Sequence, residues 1–160
     1  MSTVPRQHKG EKHPQAPPFE NAMEIQAFLE RPLLARFCSL NEDGSIHATP
    51  IYFLYQGGEF LFGTQVRAHK IQNIRRDKHV TVLIDTEEPV LQSVLVYGEA
   101  ELDFEDVLEK RVRILERYYD DPAQARAFAE RLSKAWETVI IHVRPEKMVT
   151  VDYSKPFSIE

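Results

Sequence analysis

Residues 46–55 read IHATPIYFLY, a strand without a polar face. Ala48, Pro50, Tyr52 and Leu54 fall on one side, and Ile51, Phe53 and Tyr55 on the other. A strand that is apolar on both sides is covered on both sides. One face can fill the inside of a barrel. The other needs a ligand, another element or a second subunit. Gln56-Gly57-Gly58 then makes a hairpin turn, 59–63 a further strand, and 64–76 a short basic helix. Residues 46–78 therefore form a strand–turn–strand–helix unit, and the rest of the chain has to accommodate it.

The flanking sequence supplies more of the same architecture. Asn21 caps a helix, Glu24 reaches back to its start, and Met23, Ala27 and Phe28 form its apolar stripe; Pro32 ends it near Arg31. Strands are predicted over 33–40, 79–85, 91–101, 138–143 and 147–153, the last two broken at Arg144-Pro145. Between them, Asp103 caps an amphipathic helix with Phe104, Val107, Leu108, Ile114, Leu115 and Tyr118 on one face. Asp121-Pro122 opens another, with Ala125, Phe128, Ala129 and Leu132 inward. Antiparallel strands with short turns and late helices predict a mainly β (α+β) fold, a small barrel with attached helices. There is no internal repeat, and the absence of βαβ alternation argues against a Rossmann fold; neither GxGxxG nor GxxxxGKS occurs.

A chain of 160 residues suits one domain. Residues 1–18 hold four of the ten prolines and almost nothing apolar, so they are read as a disordered N-terminal arm, leaving 19–160 as the domain. His8 and His13 in the arm lack metal-site spacing. The net charge of −5 argues against general nucleic-acid binding. No apolar run approaches a membrane span, and no secretory h-region is present. The single cysteine, Cys38, cannot form an internal disulfide and is read as a small buried hydrophobe rather than a catalytic thiol; a cytoplasmic location is expected.

The chemistry concentrates in Gly63-Thr64-Gln65-Val66-Arg67-Ala68-His69-Lys70. A helix N-terminus offers free N–H groups and partial positive charge to a phosphate. Thr64 can add a hydroxyl, and Arg67 and Lys70, three apart, can close on one anion. His69 lies near the helix start, whereas Arg75, Arg76 and Lys78 read as a solvated turn. A basic helix face is also what solvent alone selects, so spacing by itself does not decide. His47 is read as a strand histidine satisfying a local hydrogen bond. No Ser/His/Asp arrangement and no metal cluster stands out.

Arg36-Phe-Cys-Ser-Leu, Gly44-Ser-Ile-His-Ala-Thr-Pro50, Glu59-Phe-Leu-Phe-Gly-Thr64, the run from Arg67 to Asn73, and Val94-Leu-Val-Tyr-Gly-Glu-Ala100 occur in an order and spacing that resembles the split-barrel flavin-binding family, the pyridoxamine-phosphate oxidase-like proteins. The resemblance spans residues ~20–153 and implies a six- to seven-stranded antiparallel split β-barrel with peripheral helices. It implies a homodimer with cofactor at the subunit interface, which would cover the second strand's free face. It implies that the backbone around Pro50, Ile51 and Tyr52 lines the ring system. Thr64, Arg67, His69 and Lys70 would hold the phosphate, with Gln65 and Val66 nearby, and Gln92 or Ser93 would be a further contact. The cofactor implied is FMN, with a deazaflavin coenzyme as the alternative and haem as a third, and the activity implied is hydride transfer with a small-molecule substrate. The HATP-x-x-FL run and the RxxKxxNI helix look as much like the deazaflavin branch. The true oxidases carry basic residues on the second strand, where this chain has Ala48 and Phe53. They also end in a basic segment that holds substrate phosphate, where this chain ends Asp152-Tyr-Ser-Lys-Pro-Phe-Ser-Ile-Glu160.

Overall fold

The computed structural model of the chain describes residues 16–157. The elements run α1 (Ala22–Leu29), β1 (Ala35–Leu40), β2 (Ile46–Ile51), β3 (Leu54–Gln56), β4 (Glu59–Gln65), α2 (His69–Arg76), β5 (His79–Thr86), β6 (Gln92–Asp103), α3 (Val107–Glu116), α4 (Pro122–Ala135) and β7 (Thr138–Asp152). All seven strands form one antiparallel sheet in the order β2-β1-β5-β6-β7-β4-β3. The mainly β barrel with peripheral helices is borne out.

The strand predicted over 46–55 is two strands. β2 stops at Ile51 and β3 starts at Leu54, and they lie at opposite edges of the sheet. Tyr52 and Phe53 carry the chain across, so the barrel is closed along that line by covalent chain instead of a hydrogen-bond ladder. Phe53 is fully buried there, and its backbone polar groups need other partners. Its N–H donates to the Tyr118 hydroxyl at 3.1 Å, and its carbonyl accepts from the Arg117 guanidinium. Tyr118 in turn donates to the Leu33 carbonyl at 2.7 Å, and Arg117 donates to the Leu29 and Arg31 carbonyls at 2.7 and 2.8 Å. The end of α3 thus clamps the split.

The inward side chains alternate along each strand. Phe37, Phe53, Phe60, Phe62, Val82, Ile84, Val94, Val96 and Ile141 make the main core, with Phe37 and Phe62 edge-to-face at 5.1 Å. α1 covers one side through Ile25, Phe28 and Leu29, whereas Met23, predicted inward, is 82% exposed. α3 packs outside β4 and β7 through Ile114 against Leu61 and Ile140, and its other side meets α4 through Val112, Leu115, Ala125 and Ala129. Phe104, placed on the apolar face from sequence, lies before the helix and is exposed. Asp103 does not cap α3. Its carboxylate accepts from the Glu105 N–H and from Lys110 and binds His142, so a side-chain network fixes the β6–α3 corner.

The predicted break at Arg144-Pro145 is a β-bulge inside one continuous β7. Tyr97 faces Lys147 and Gly98 faces Pro145, which leaves Glu146 as the extra residue. A Cβ on Gly98 would sit 2.3 Å from the Arg144 carbonyl oxygen, so only glycine lets the bulged strand approach this closely. The arm predicted over 1–18 falls mostly outside the described residues. Within them, the Pro17 carbonyl accepts the Asp152 N–H at 2.6 Å and Phe19 is buried, so ordering begins before residue 19.

The register also defines an outer face. Pro50 and Ala48 of β2 lie beside Arg36 and Cys38 of β1, then Leu83 of β5, Leu95 of β6 and Val149 of β7. These apolar residues are half-buried or exposed and belong to none of the chain's hydrophobic clusters. Burial pushes the Cys38 thiol up, away from thiolate.

Candidate functional site

The basic segment does not start a helix at Thr64. β4 runs on to Gln65 because Thr64 and Gln65 pair with Val139 and Thr138. Thr64 is buried on the barrel side of that strand. A Cβ on Gly63 would press the Arg111 side chain at 3.2 Å, so its bareness seats α3. Val66, Arg67 and Ala68 form the turn, tied by Val66 N–H to the Glu137 carbonyl at 2.9 Å and Ala68 N–H to the Gln65 carbonyl at 3.1 Å. Arg67 is therefore a turn residue, exposed, and does not share a helix face with Lys70.

The helix begins after Ala68, which has no side chain to cap it. The Ile71 N–H reaches the Ala68 carbonyl at 3.0 Å, and no side chain caps the N–H groups before it among the described residues. α2 buries Lys70, Ile71, Asn73 and Ile74, one stripe at helical spacing. The two isoleucines enter the main core. Lys70 is carried in with them and is only 8% exposed. Its ammonium has no hydrogen bond or ion pair among the described residues, and burial pulls its pKa down.

Asn73 fixes this helix on β1. Its amide donates to Ser39 Oγ at 3.0 Å and to Asn41 Oδ1 at 2.9 Å, and its oxygen accepts from Arg76 at 2.9 Å. Arg76, read as solvated, is thus part of the anchor. Asn41 Oδ1 also accepts from His69 Nε2 at 2.8 Å, which orients that ring and leaves Nδ1 for other partners.

Opposite lies the inward face of β2, where His47 pairs with Ser39 and Thr49 with Phe37. The His47 and His69 rings are 5.0 Å apart. His47 Nδ1 and Thr49 Oγ1 are buried and bonded to nothing. His47 therefore does not satisfy the local hydrogen bond expected of it. Burial, and the nearby positive charge of His69 and Lys70, hold its pKa below the ordinary histidine value.

The structure thus brings His69 and Lys70 together with His47 and Thr49. Pro50, Ile51 and Tyr52 continue β2 to the split: Pro50 exposed, Ile51 against the core, and Tyr52 against the Tyr118 ring at 4.4 Å. Gln92 bonds Arg31 and Asp152 at 3.3 and 3.0 Å and is committed to structure. His47 is expected from sequence only as a strand histidine and Thr49 is not singled out, although the period-two alternation from Ile51 places both inside.

Buried, unpartnered hydrogen-bonding atoms carry a cost unless something binds them. A cation, an imidazole, a hydroxyl and an uncapped helix start match the needs of an oxyanion such as a phosphate ester. The residues present fit the phosphate end of a flavin-type cofactor.

Comparison with known proteins agrees with the fold. The family model described as pyridoxamine 5'-phosphate oxidase matches residues 22–152. A solved conserved hypothetical protein of Mycobacterium tuberculosis is 21% identical with a TM-score of 0.71, over 89% of this chain and 93% of that one. An F420 reductase is 21% identical with a TM-score of 0.62, over 78% and 94%. The haem storage protein of Vibrio cholerae is 12% identical with a TM-score of 0.63, over 81% and 94%. At these identities the likeness concerns the fold alone. No curated protein matches the sequence.

Proposed function

This chain belongs to the pyridoxamine 5'-phosphate oxidase family, and we propose that it is an FMN-binding oxidoreductase that acts on a small organic substrate by hydride transfer. The observation that carries this reading is the buried, unpaired Lys70 beside the unpartnered His47 Nδ1 and Thr49 Oγ1. The phosphate set is Lys70, His69, His47 and Thr49, with Arg67 on the preceding turn and Thr64, Gln65 and Val66 on the strand end that leads into it. The backbone around Pro50, Ile51 and Tyr52 lines the ring. A flavin, once bound, supplies the hydride chemistry; the protein supplies binding, orientation and exclusion of water. The apolar outer face of β2, β1, β5, β6 and β7 supports a homodimer that covers the ring between protomers.

Pyridoxamine phosphate itself is not the proposed substrate. Lys155, the one cation after β7 in the described residues, is bound to Glu24 at 2.6 Å and Glu20 at 3.4 Å, so it is not available to clamp a second phosphate. A second reading is a deazaflavin-dependent reductase, favoured by the RxxKxxNI run through the turn and α2 and by the F420 reductase of like fold. A haem- or flavin-binding module without turnover is the reading outside enzymes, with the haem storage protein as the precedent in fold. Among the described residues no helix is long and apolar enough to cross a membrane.

The test is the absorbance spectrum and mass of whatever small molecule co-purifies, followed by titration of stripped protein with FMN and with deazaflavin coenzyme. FMN binding with reduction of the bound flavin by a hydride donor is expected. Failure to bind either coenzyme would overturn both redox readings, and a Soret band would favour haem.

A further inference from the structure

The anion pocket has cations but no counter-charge. The groups facing His47 are Thr49 on its own strand, Ser39 across on β1, and His69 and Lys70 from α2. Among the described residues only the last two are charged or titratable, both push the ring toward neutrality, and no carboxylate acts on it. A neutral His47 can give an anion at most one hydrogen bond and no charge. Once an oxyanion sits against Lys70, the balance at the ring reverses, because an adjacent negative charge favours the protonated form.

We propose that His47 is a proton-coupled ligand of this pocket: entry of a phosphate ester draws one proton from solvent onto the ring, and the resulting imidazolium donates through Nδ1 to a phosphate oxygen. The proposal rests on the anion-site reading above. One proton leaves bulk water and one N–H bond forms on His47; nothing is oxidised or reduced. The direct consequence is that phosphate-ester binding tightens as pH falls toward the free-state pKa of His47, by up to about tenfold per pH unit for a single coupled proton. Thr49 adds a neutral donor whose contribution does not vary with pH.

The test uses the full chain stripped of cofactor, with FMN as probe and riboflavin, which lacks the phosphate, as control. Affinities are measured from pH 5.5 to 8.5 for wild type, His47→Gln and Lys70→Met. Proton uptake is measured by calorimetry in buffers of different ionisation enthalpy. The phosphate of FMN titrates in the same range, but identically for every variant, so it cancels in the difference. Wild type is expected to take up close to one more proton per FMN than His47→Gln at a pH above the free-state pKa of His47 and below its FMN-bound value. The two affinities should converge at pH 8.5. In wild type alone, the His47 ring resonances should shift to the imidazolium position on addition of FMN at a pH where the free ring is neutral. This readout needs no variant and survives a failure of His47→Gln to fold. Equal proton uptake in both proteins, with Lys70→Met still weakening FMN, would overturn the role of His47 and leave the anion pocket standing. Equal affinity for FMN and riboflavin, unaffected by Lys70→Met, would overturn both.

Discussion

At the scale of single residues, Lys70 shows how function and stability oppose each other here. It sits on the buried stripe of α2, desolvated and unpaired, with its pKa lowered by burial. In the window between that lowered value and the unfolded value near 10.5, the unfolded chain binds more protons than the folded one. Stability of the cofactor-free protein therefore rises with pH across that window. Lys70→Met keeps the length and removes the charge. It is expected to raise the denaturation midpoint of cofactor-free protein at pH 7.5 and to flatten its rise toward pH 10. The same change should weaken FMN binding by about 1.5–3 kcal/mol, the loss of one charge-assisted contact. Denaturant titrations at both pH values, paired with FMN titrations, check both halves; a less stable Lys70→Met protein would contradict the unpaired charge.

At the scale of elements, the split between β2 and β3 depends on groups far away in sequence. The Tyr118 hydroxyl holds the Phe53 N–H and the Leu33 carbonyl, and no neighbouring strand replaces it. Tyr118→Phe preserves the ring that packs on Tyr52 at 4.4 Å and removes those bonds together with the one the hydroxyl accepts from Arg117 at 3.2 Å. It should cost roughly 1–3 kcal/mol, since two buried backbone groups lose a partner. It should also speed hydrogen exchange at the Phe53 amide, and unchanged exchange there would show that the clamp is not what holds the split. This dependence explains which elements the sequence revealed. β1, β4, β5 and β6 follow from alternation and turn residues, which are local. The interruption at Tyr52-Phe53 was invisible because IYFLY is apolar throughout; its cause is Arg117 and Tyr118. The true start of α2 was missed because Thr64 and Gln65 pair with β7, a partner more than 70 residues away. In the same way Lys70 and His69 were legible as cations, but their joining to His47 depended on how β2 and α2 face each other across β1.

At the scale of the whole molecule, the constraint set by residues 46–55 is met only halfway by one chain. The barrel interior takes Ile51 and Phe53, while Pro50, Ala48, Cys38, Leu83, Leu95 and Val149 lie outside, with Arg36 between Pro50 and Leu83, and no core cluster includes them. A contiguous apolar face on a sheet that could otherwise be solvated marks an interface. A stable interface buries about 800 Å² per partner, and a face spanning five strands at about 4.8 Å spacing offers that extent. The proposed homodimer seats the cofactor ring along this face, so dimerisation and ring binding should fail together. Leu83→Arg places a charge at its centre without touching the core. The variant is expected to keep its circular dichroism spectrum, to sediment as a monomer where wild type sediments as a dimer, and to bind FMN more weakly. It should still bind inorganic phosphate, because Lys70 and His69 belong to α2 and His47 to the inner face of β2, away from the outer face. A dimeric Leu83→Arg protein would place the interface elsewhere. A wild-type monomer carrying bound cofactor would separate ring binding from association altogether.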